Sequence, residues 1–289
     1  MFAKTLSKIL AGFFVCPMPE LPEVETIRRD LEKRIVGKKI AHVEIRNTGT
    51  IHGDVTVFQK TLTKNSIEKC ERIGKLLIFA LHKKQYLLVH LKMTGKFIYR
   101  EKGTAVAGGY TRIIFTFVDG SELFFQDVRK FGYMTIVSES ELEHIKKKYG
   151  IEPLTKNFTL QNFEAAMSGR KTSLKVVLLN QARIAGIGNI YADEICFVTS
   201  ILPSRSAQKL SSAEIQALHA ACNAIIQKAI EHRGTTFNSY VDGHGKKGKF
   251  ANFLQVYQRQ GKSCFRCPGV IAKVRVAGRG THFCPKCQK

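Results

Sequence analysis

Residues 111–128 read TRIIFTFVDGSELFFQDV. Two runs rich in β-branched and aromatic residues flank Asp119-Gly120, a dipeptide that favours a tight turn. The stretch reads as a β-hairpin. Working outward, IAHVEIR (40–46) alternates, while KLLIFALH (75–82) and YLLVHLKM (86–93) are continuous apolar runs. We expect residues 39–137 to be mostly antiparallel β, folded as a sandwich. Upstream, Pro22 suits the first turn of a helix, and Glu23 and Glu25 suit the positive end of its dipole. Val24, Ile27, Leu31 and Ile35 then form one apolar stripe, and Gly37 ends it.

From about Asn157 the period lengthens. NFTLQNFEAAMSG, TSLKVVLLNQ, NIYADEICFVTS and SSAEIQALHAACNAIIQKAIEHRG all read as helices. Ser211 and Glu214 make a capping box on the last, and Gly234 closes it. The loop TTFNSYVDGHGKKGKF (235–250) carries Gly243, Gly245 and Gly248 among Lys246, Lys247 and Lys249. It faces either an anion or plain solvent. The class is therefore α+β: a leading helix and antiparallel β-sandwich, then a helical domain, then a separate tail. We place the boundaries at residues 1–17, 18–150, 151–242 and 243–289.

The 289 residues hold 46 Lys and Arg against 23 Asp and Glu, a formal charge of +23. That surplus points to a polyanion, nucleic acid first, with solubility or an acidic membrane surface as the bland alternative. No run of 18 apolar residues exists to span a membrane. No G-x-G-x-x-G or Walker pattern calls for a nucleotide cofactor. Four of the eight cysteines cluster at the C-terminus and four are scattered. A disulfide framework would be spread more evenly, so we read a reducing compartment. Residues 1–17, MFAKTLSKILAGFFVCP, faintly resemble a secretory signal but lack an A-x-A site. A start assigned too early fits them better, with a targeting segment as the alternative.

Three groups of residues carry chemistry. Cys264-Phe-Arg-Cys267, sixteen residues, then Cys284-Pro-Lys-Cys287 is the spacing that sets four thiolates around one zinc. Four cysteines leave no open coordination position, so the metal is structural. VIAKVRVAGRGTHF between them reads as a hairpin with Gly278-Arg279-Gly280 at its tip. In ARIAGIGNIYADE (182–194), Gly186 and Gly188 permit a tight turn and Asn189 opens a helix. Free N–H groups there suit a phosphate, unless the turn is an ordinary helical joint. Finally, in CPMPELPEVET (16–26), a chain beginning at Pro19 would carry a secondary amine at its terminus. Such an amine attacks an anomeric carbon to form an iminium, and Glu20 beside it could move protons. The plainer reading is that Pro19-Glu20 only leads into the helix.

MPELPEVET, IGK ending at Lys75, HLKMTGKF, DVRKFG, GIGNIYADE and the four-cysteine finger occur in this order. Together they resemble the formamidopyrimidine-DNA glycosylase family over residues 18–289. The related endonuclease VIII group begins more like PEGPE, so Leu21 favours the oxidised-purine branch. The resemblance implies a helix–two-turn–helix domain beside the sandwich. It implies a base-excision repair enzyme that removes 8-oxoguanine and formamidopyrimidines opposite cytosine. That enzyme would then cut the abasic site by β,δ-elimination. Pro19 would be the nucleophile and Glu20 its acid/base partner. Lys75 would hold a phosphate and assist β-elimination, or be a plain surface lysine; Arg279 would reach the phosphate lost on δ-elimination, or be only a turn residue. Asn189 and Lys175 would grip phosphates and Lys171 would add charge, with a solvated helix face the alternative for both lysines. Met93, Arg129 and Phe131 would fill the void left by the flipped base, with core packing the alternative for Met93 and Phe131. Loop 235–249 would close over that base.

Three departures stand out. Met18 on the Pro19 nitrogen makes it an amide with no nucleophilic lone pair. By the resemblance, Tyr110 stands where the family carries a DNA-contacting histidine, which puts that contact in question, and Asn180 stands where the family commonly carries aspartate. The implied partner is duplex DNA bound by a monomer, with one zinc, no membrane and no nucleotide cofactor, in the cytoplasm at the nucleoid. The rival readings are a non-catalytic sensor of damaged DNA with the same fold and an oxidised-pyrimidine glycosylase of the endonuclease VIII type.

Overall fold

The computed structural model describes residues 18–104, 107–235 and 248–289. Helix α1 (Leu21–Ile35) leads. Its stripe Val24, Ile27, Leu31 and Ile35 is fully buried in the first core, while Leu21 belongs to the core of the helical half. Each such aliphatic side chain contributes roughly 1.5–3 kcal/mol by burial. One helix is thereby fixed to both halves of the molecule.

Strands β1 (Ile40–Ile45), β2 (Ile67–Ile73), β3 (Leu76–Leu81), β4 (Gln85–His90), β5 (Lys96–Arg100), β6 (Thr111–Phe117), β7 (Glu122–Gln126) and β8 (Tyr133–Ser138) form two antiparallel sheets. Their orders are β1-β6-β7-β5 and β2-β3-β4-β8. The expected hairpin is β6–β7, with Gly120 at φ +82° in its turn. Phe79 of one sheet meets Phe97 of the other edge to face, centroids 5.9 Å apart, so the sandwich core is continuous.

Two helices interrupt the stretch expected to be mostly β or adjoin it: α2 (Val55–Leu62) and α3 (Glu139–Lys146). Asp54 caps α2 by accepting from the Val57 N–H at 2.8 Å, and Phe58 and Leu62, one turn apart, bury its inner face. The β-branched Val55, Thr56 and Val57 disguise that helix in the sequence.

The helical half contains α4 (Leu160–Met167), α5 (Leu174–Leu179), α6 (Asn189–Val198) and α7 (Ser212–Glu231). The Ser211–Glu214 capping box on α7 is formed. The tail forms the hairpin β9 (Ala272–Val276) and β10 (Arg279–Phe283). Its turn is Ala277-Gly278, both at positive φ, so the expected tip moves by one residue and Arg279 opens β10.

Register gathers key positions at one sheet end. Leu76 pairs with His90, and His90 pairs with Tyr133. Lys75 just before β3, Met93 just after β4 and Phe131 just before β8 therefore leave the same edge of the sandwich.

Candidate active site

The centre is the N-terminus of α6. A helix begins with unpaired N–H groups and a partial positive charge, so it favours an anion. Here that anion is Glu20. Its carboxylate accepts from the Gly188 N–H at 2.7 Å, Ile190 at 2.9 Å and Tyr191 at 3.4 Å. The GIGN turn was expected to offer these groups to phosphate; an internal carboxylate takes them instead. Leu21 N–H bonds Gly186 O at 3.0 Å, which fixes the chain on the other side of Glu20. Pro19, also buried, is held at this point through its neighbour.

Lys75 reaches the same spot and is 5 % exposed. A Cβ built on Gly188 would lie 2.3 Å from Glu20 Cδ and 2.6 Å from Lys75 Nζ. Only a glycine leaves room for both side chains here. Burial raises the Glu20 pKa, outweighing the lowering by Lys75 and the three N–H donors. Burial likewise lowers Lys75, opposed by Glu20 and Glu23, while nearby Arg279 adds to the lowering. Both groups are shifted toward neutrality, as proton-transfer chemistry requires.

Glu23 was not singled out for chemistry, although E-x-x-E spacing at a helix start is a capping signal. It accepts from the Glu20 N–H at 2.9 Å, the Tyr191 hydroxyl at 2.6 Å and the Thr235 N–H at 2.6 Å. Burial first, then the Glu20 charge, raises it to about 7. His90 also escaped notice. Half-buried, and beside Lys92 and Lys75, it is pushed down to about 3 and stays neutral.

At the same sheet end Arg129 Nη1 lies 3.0 Å from Met93 Sδ, and the Arg129 guanidinium lies 4.8 Å from the Phe131 ring centroid. The three residues are thus one cluster. Phe131 is 52 % exposed, which removes core packing as its role, and Met93 is half-buried. Tyr110 and Lys171 are exposed. Arg279 is exposed at the start of β10. Asn189 donates to Gly280 O at 3.0 Å, which ties the top of α6 to the finger.

Lys175 departs from both readings of it. It is fully buried. Its ammonium bonds Asp193 at 2.6 Å, Thr281 Oγ1 at 2.9 Å and Gly280 O at 3.1 Å. Burying an ammonium requires a carboxylate and further acceptors, and all are supplied internally. Lys175 therefore reaches neither phosphate nor solvent. Asp193 also accepts from the His282 N–H at 2.8 Å, and Glu194 accepts from the N–H groups of Gln255, Val256 and Tyr257. The acids of NIYADE thus fasten the finger and the chain leading to it onto α6.

The sulfurs of Cys264, Cys267, Cys284 and Cys287 all lie within 4.8 Å of one another. Cys264–Cys287 are 3.8 Å apart and Cys267–Cys284 3.5 Å. Tetrahedral zinc with bonds of about 2.3 Å needs sulfurs about 3.8 Å apart, so the set fits. N–H groups of Arg266 and Gly269 point at Cys264 and Cys267 sulfurs, as thiolates prefer. The four cysteines form the ligand set of one structural zinc. The proposed closing loop lies outside the described residues except for its ends, Thr235, Gly248 and Lys249.

Residues 18–134 match the formamidopyrimidine-DNA glycosylase N-terminal domain and residues 149–241 the H2TH domain of the same enzymes. Residues 261–289 match a zinc finger found in FPG and IleRS. The fold and site are those of a zinc-finger DNA glycosylase. The formamidopyrimidine-DNA glycosylase of Streptococcus pneumoniae is 42 % identical over 275 residues, covering 94 % of this chain and 99 % of the relative. That of Pelotomaculum thermopropionicum is 41 % identical over 275 residues, with the same coverage. A Lactococcus lactis FPG mutant in complex with Fapy-dG containing DNA superposes with a TM-score of 0.88 at 38 % identity. It covers 94 % of this chain and all of its own. The chain belongs to the formamidopyrimidine-DNA glycosylase family.

Proposed function

We propose that this protein excises oxidised purines, 8-oxoguanine and formamidopyrimidines opposite cytosine, from duplex DNA and cleaves the resulting abasic site. One observation carries the reading: Glu20 is clamped at the N-terminus of α6, and Lys75 Nζ lies on the other side of the same narrow space at Gly188. That clamp fixes the adjacent Pro19, whose amine attacks C1′ as the damaged base departs. The product is an iminium, with the sugar ring opened. Glu20, with its raised pKa, supplies the proton to the ring oxygen. Lys75 holds a backbone phosphate and assists β-elimination; Arg279 meets the phosphate lost in δ-elimination. A one-nucleoside gap with phosphate on both ends remains.

Met93 and Phe131 fill the vacated stack, and Arg129 bonds the orphaned cytosine. Asn189 and Lys171 contribute to the phosphate track, and Tyr110 takes a histidine's place on it. Zinc, when bound, locks the hairpin that carries Arg279. The protein works as a monomer without a nucleotide cofactor, in the cytoplasm at the nucleoid. Among the described residues no helix is long and apolar enough to cross a membrane.

The chemistry has one condition. In a chain that keeps residues 1–18, the Pro19 nitrogen is an acylated amide and forms no iminium. That peptide bond favours the second reading, a sensor that binds lesions without cutting, for any molecule that retains it. Incubation of protein starting at Pro19 with 8-oxoguanine·cytosine duplex tests the proposal. Free 8-oxoguanine and two phosphate-ended fragments are expected. Binding without release, or release only of oxidised pyrimidines, would overturn it.

A further inference from the structure

We propose that Asp127, acting with Thr94, is the positioning residue that sets the Met93–Arg129–Phe131 cluster and through it the choice of opposing base. The inference rests on the reading of that cluster given above. Asp127 is 1 % exposed and follows β7. Its main chain is fixed first. Asp127 N–H donates to Tyr110 O at 3.0 Å, and Asp127 O accepts from Arg112 Nε at 2.8 Å.

Its side chain then accepts three hydrogen bonds through its two oxygens. Oδ2 accepts from the Gly132 N–H at 2.7 Å, which cinches residues 127–132 into a closed loop. A Cβ on Gly132 would fall 2.8 Å from Phe125 Cζ and 3.1 Å from that same oxygen, so the loop closes only on glycine. Oδ1 accepts from the Arg129 N–H at 3.1 Å and from the Thr94 hydroxyl. Thr94 Oγ1 accepts in turn from the Arg129 N–H at 3.0 Å. Thr94 is itself buried and neighbours Met93.

The closed loop leaves its middle nowhere to go but outward. Lys130 adopts φ +59°, and Val128 and Phe131 are half exposed. One buried carboxylate thus fixes the loop that carries Arg129 and Phe131. One hydroxyl joins it to the loop that carries Met93. The Arg129–Met93 contact depends on both. Three donors converge on two oxygens, so an amide at this position would turn its NH2 toward an N–H and open one tie.

The test compares protein starting at Pro19 with its Thr94→Val, Thr94→Ser, Asp127→Asn and Arg129→Ala variants. Single-turnover excision is measured with cytosine and with adenine opposite 8-oxoguanine. Thr94→Val keeps the shape and removes the hydroxyl; the cytosine-over-adenine ratio should fall about tenfold, within the range of one good base contact. Asp127→Asn should lower it further, and Thr94→Ser should restore the parental ratio. Thr94→Val should leave borohydride trapping on a single-stranded abasic oligonucleotide unchanged, because no opposing base is read there. Adding Thr94→Val to Arg129→Ala should cost no further discrimination, since the two act as one unit.

A merely structural role would lower the melting temperature of Thr94→Val while its folded fraction kept the parental ratio. That result, with Arg129→Ala still discriminating poorly, overturns the positioning role alone. A parental ratio in Arg129→Ala would overturn the reading of the cluster as well. If Asp127→Asn does not fold, the Thr94 pair decides.

Discussion

Gly188→Ala probes the narrow space shared by Glu20 and Lys75 with a single methyl group. The added carbon would sit 2.3 Å from Glu20 Cδ, 2.5 Å from its Oε1 and 2.6 Å from Lys75 Nζ. Backbone strain is not the issue, because Gly188 has φ −131°, open to any residue. Glu20 cannot step aside without releasing N–H bonds from α6, each worth roughly 1.5–3 kcal/mol to a charged acceptor. Overpacking a filled site costs about 1–3 kcal/mol. The urea-unfolding free energy should therefore fall by about 1–3 kcal/mol. Catalysis should suffer more. A displacement of about 1 Å costs on the order of 10²-fold, and loss of a positioned proton donor 10²–10⁴-fold. Single-turnover excision by protein starting at Pro19 should drop by roughly 10²-fold or more, with binding to undamaged duplex little changed. A variant with the parental rate and the parental urea midpoint would refute the crowding at Gly188.

Lys175→Met should destabilise the protein by about 3–5 kcal/mol, because the buried Asp193 carboxylate loses its ammonium partner. Its folded fraction should keep the parental salt slope of DNA binding; a flatter slope with an intact melting temperature would make Lys175 a phosphate ligand after all. Cys287→Ser should unseat the zinc, measured by metal release, and abolish lesion binding while far-ultraviolet circular dichroism keeps most of its helical signal. For Glu23, raised from 4.5 to about 7 on folding, the folded state holds the proton longer than the unfolded one. Its contribution is complete below pH 4.5 and is lost as pH rises through about 7, on the order of 3 kcal/mol in all. Urea midpoints from pH 5 to 8 should show a shallower decline in Glu23→Gln than in the parent.

Much of the architecture is legible because it rests on local signals. The Asp119-Gly120 hairpin, the α1 stripe, the α7 capping box and the cysteine knuckles each announce themselves within a few residues. Helix α2 does not, since its β-branched start imitates a strand and only Asp54 and the buried Phe58–Leu62 pair reveal it. The site divides the same way. Glu20 and Lys75 belong to recognisable motifs, yet nothing local says that the α6 turn is already filled by Glu20, 168 residues upstream of Gly188. Lys175 is the sharper case. Among 46 basic residues its sequence context looks exposed, and only the tertiary approach of Asp193, Gly280 and Thr281 makes burial tolerable. Asp127 and Thr94 likewise gain meaning only once two separate loops meet.

Borohydride trapping with 8-oxoguanine duplex, followed by peptide mapping, tests the role of Pro19 most directly. Protein whose chain begins at Pro19 should form a covalent adduct, with the DNA remnant on the proline nitrogen. The chain retaining residues 1–18 should bind the same duplex and trap nothing. An adduct on Lys75 or any other internal lysine, or equal trapping by both proteins, would contradict the assignment of Pro19 as the nucleophile.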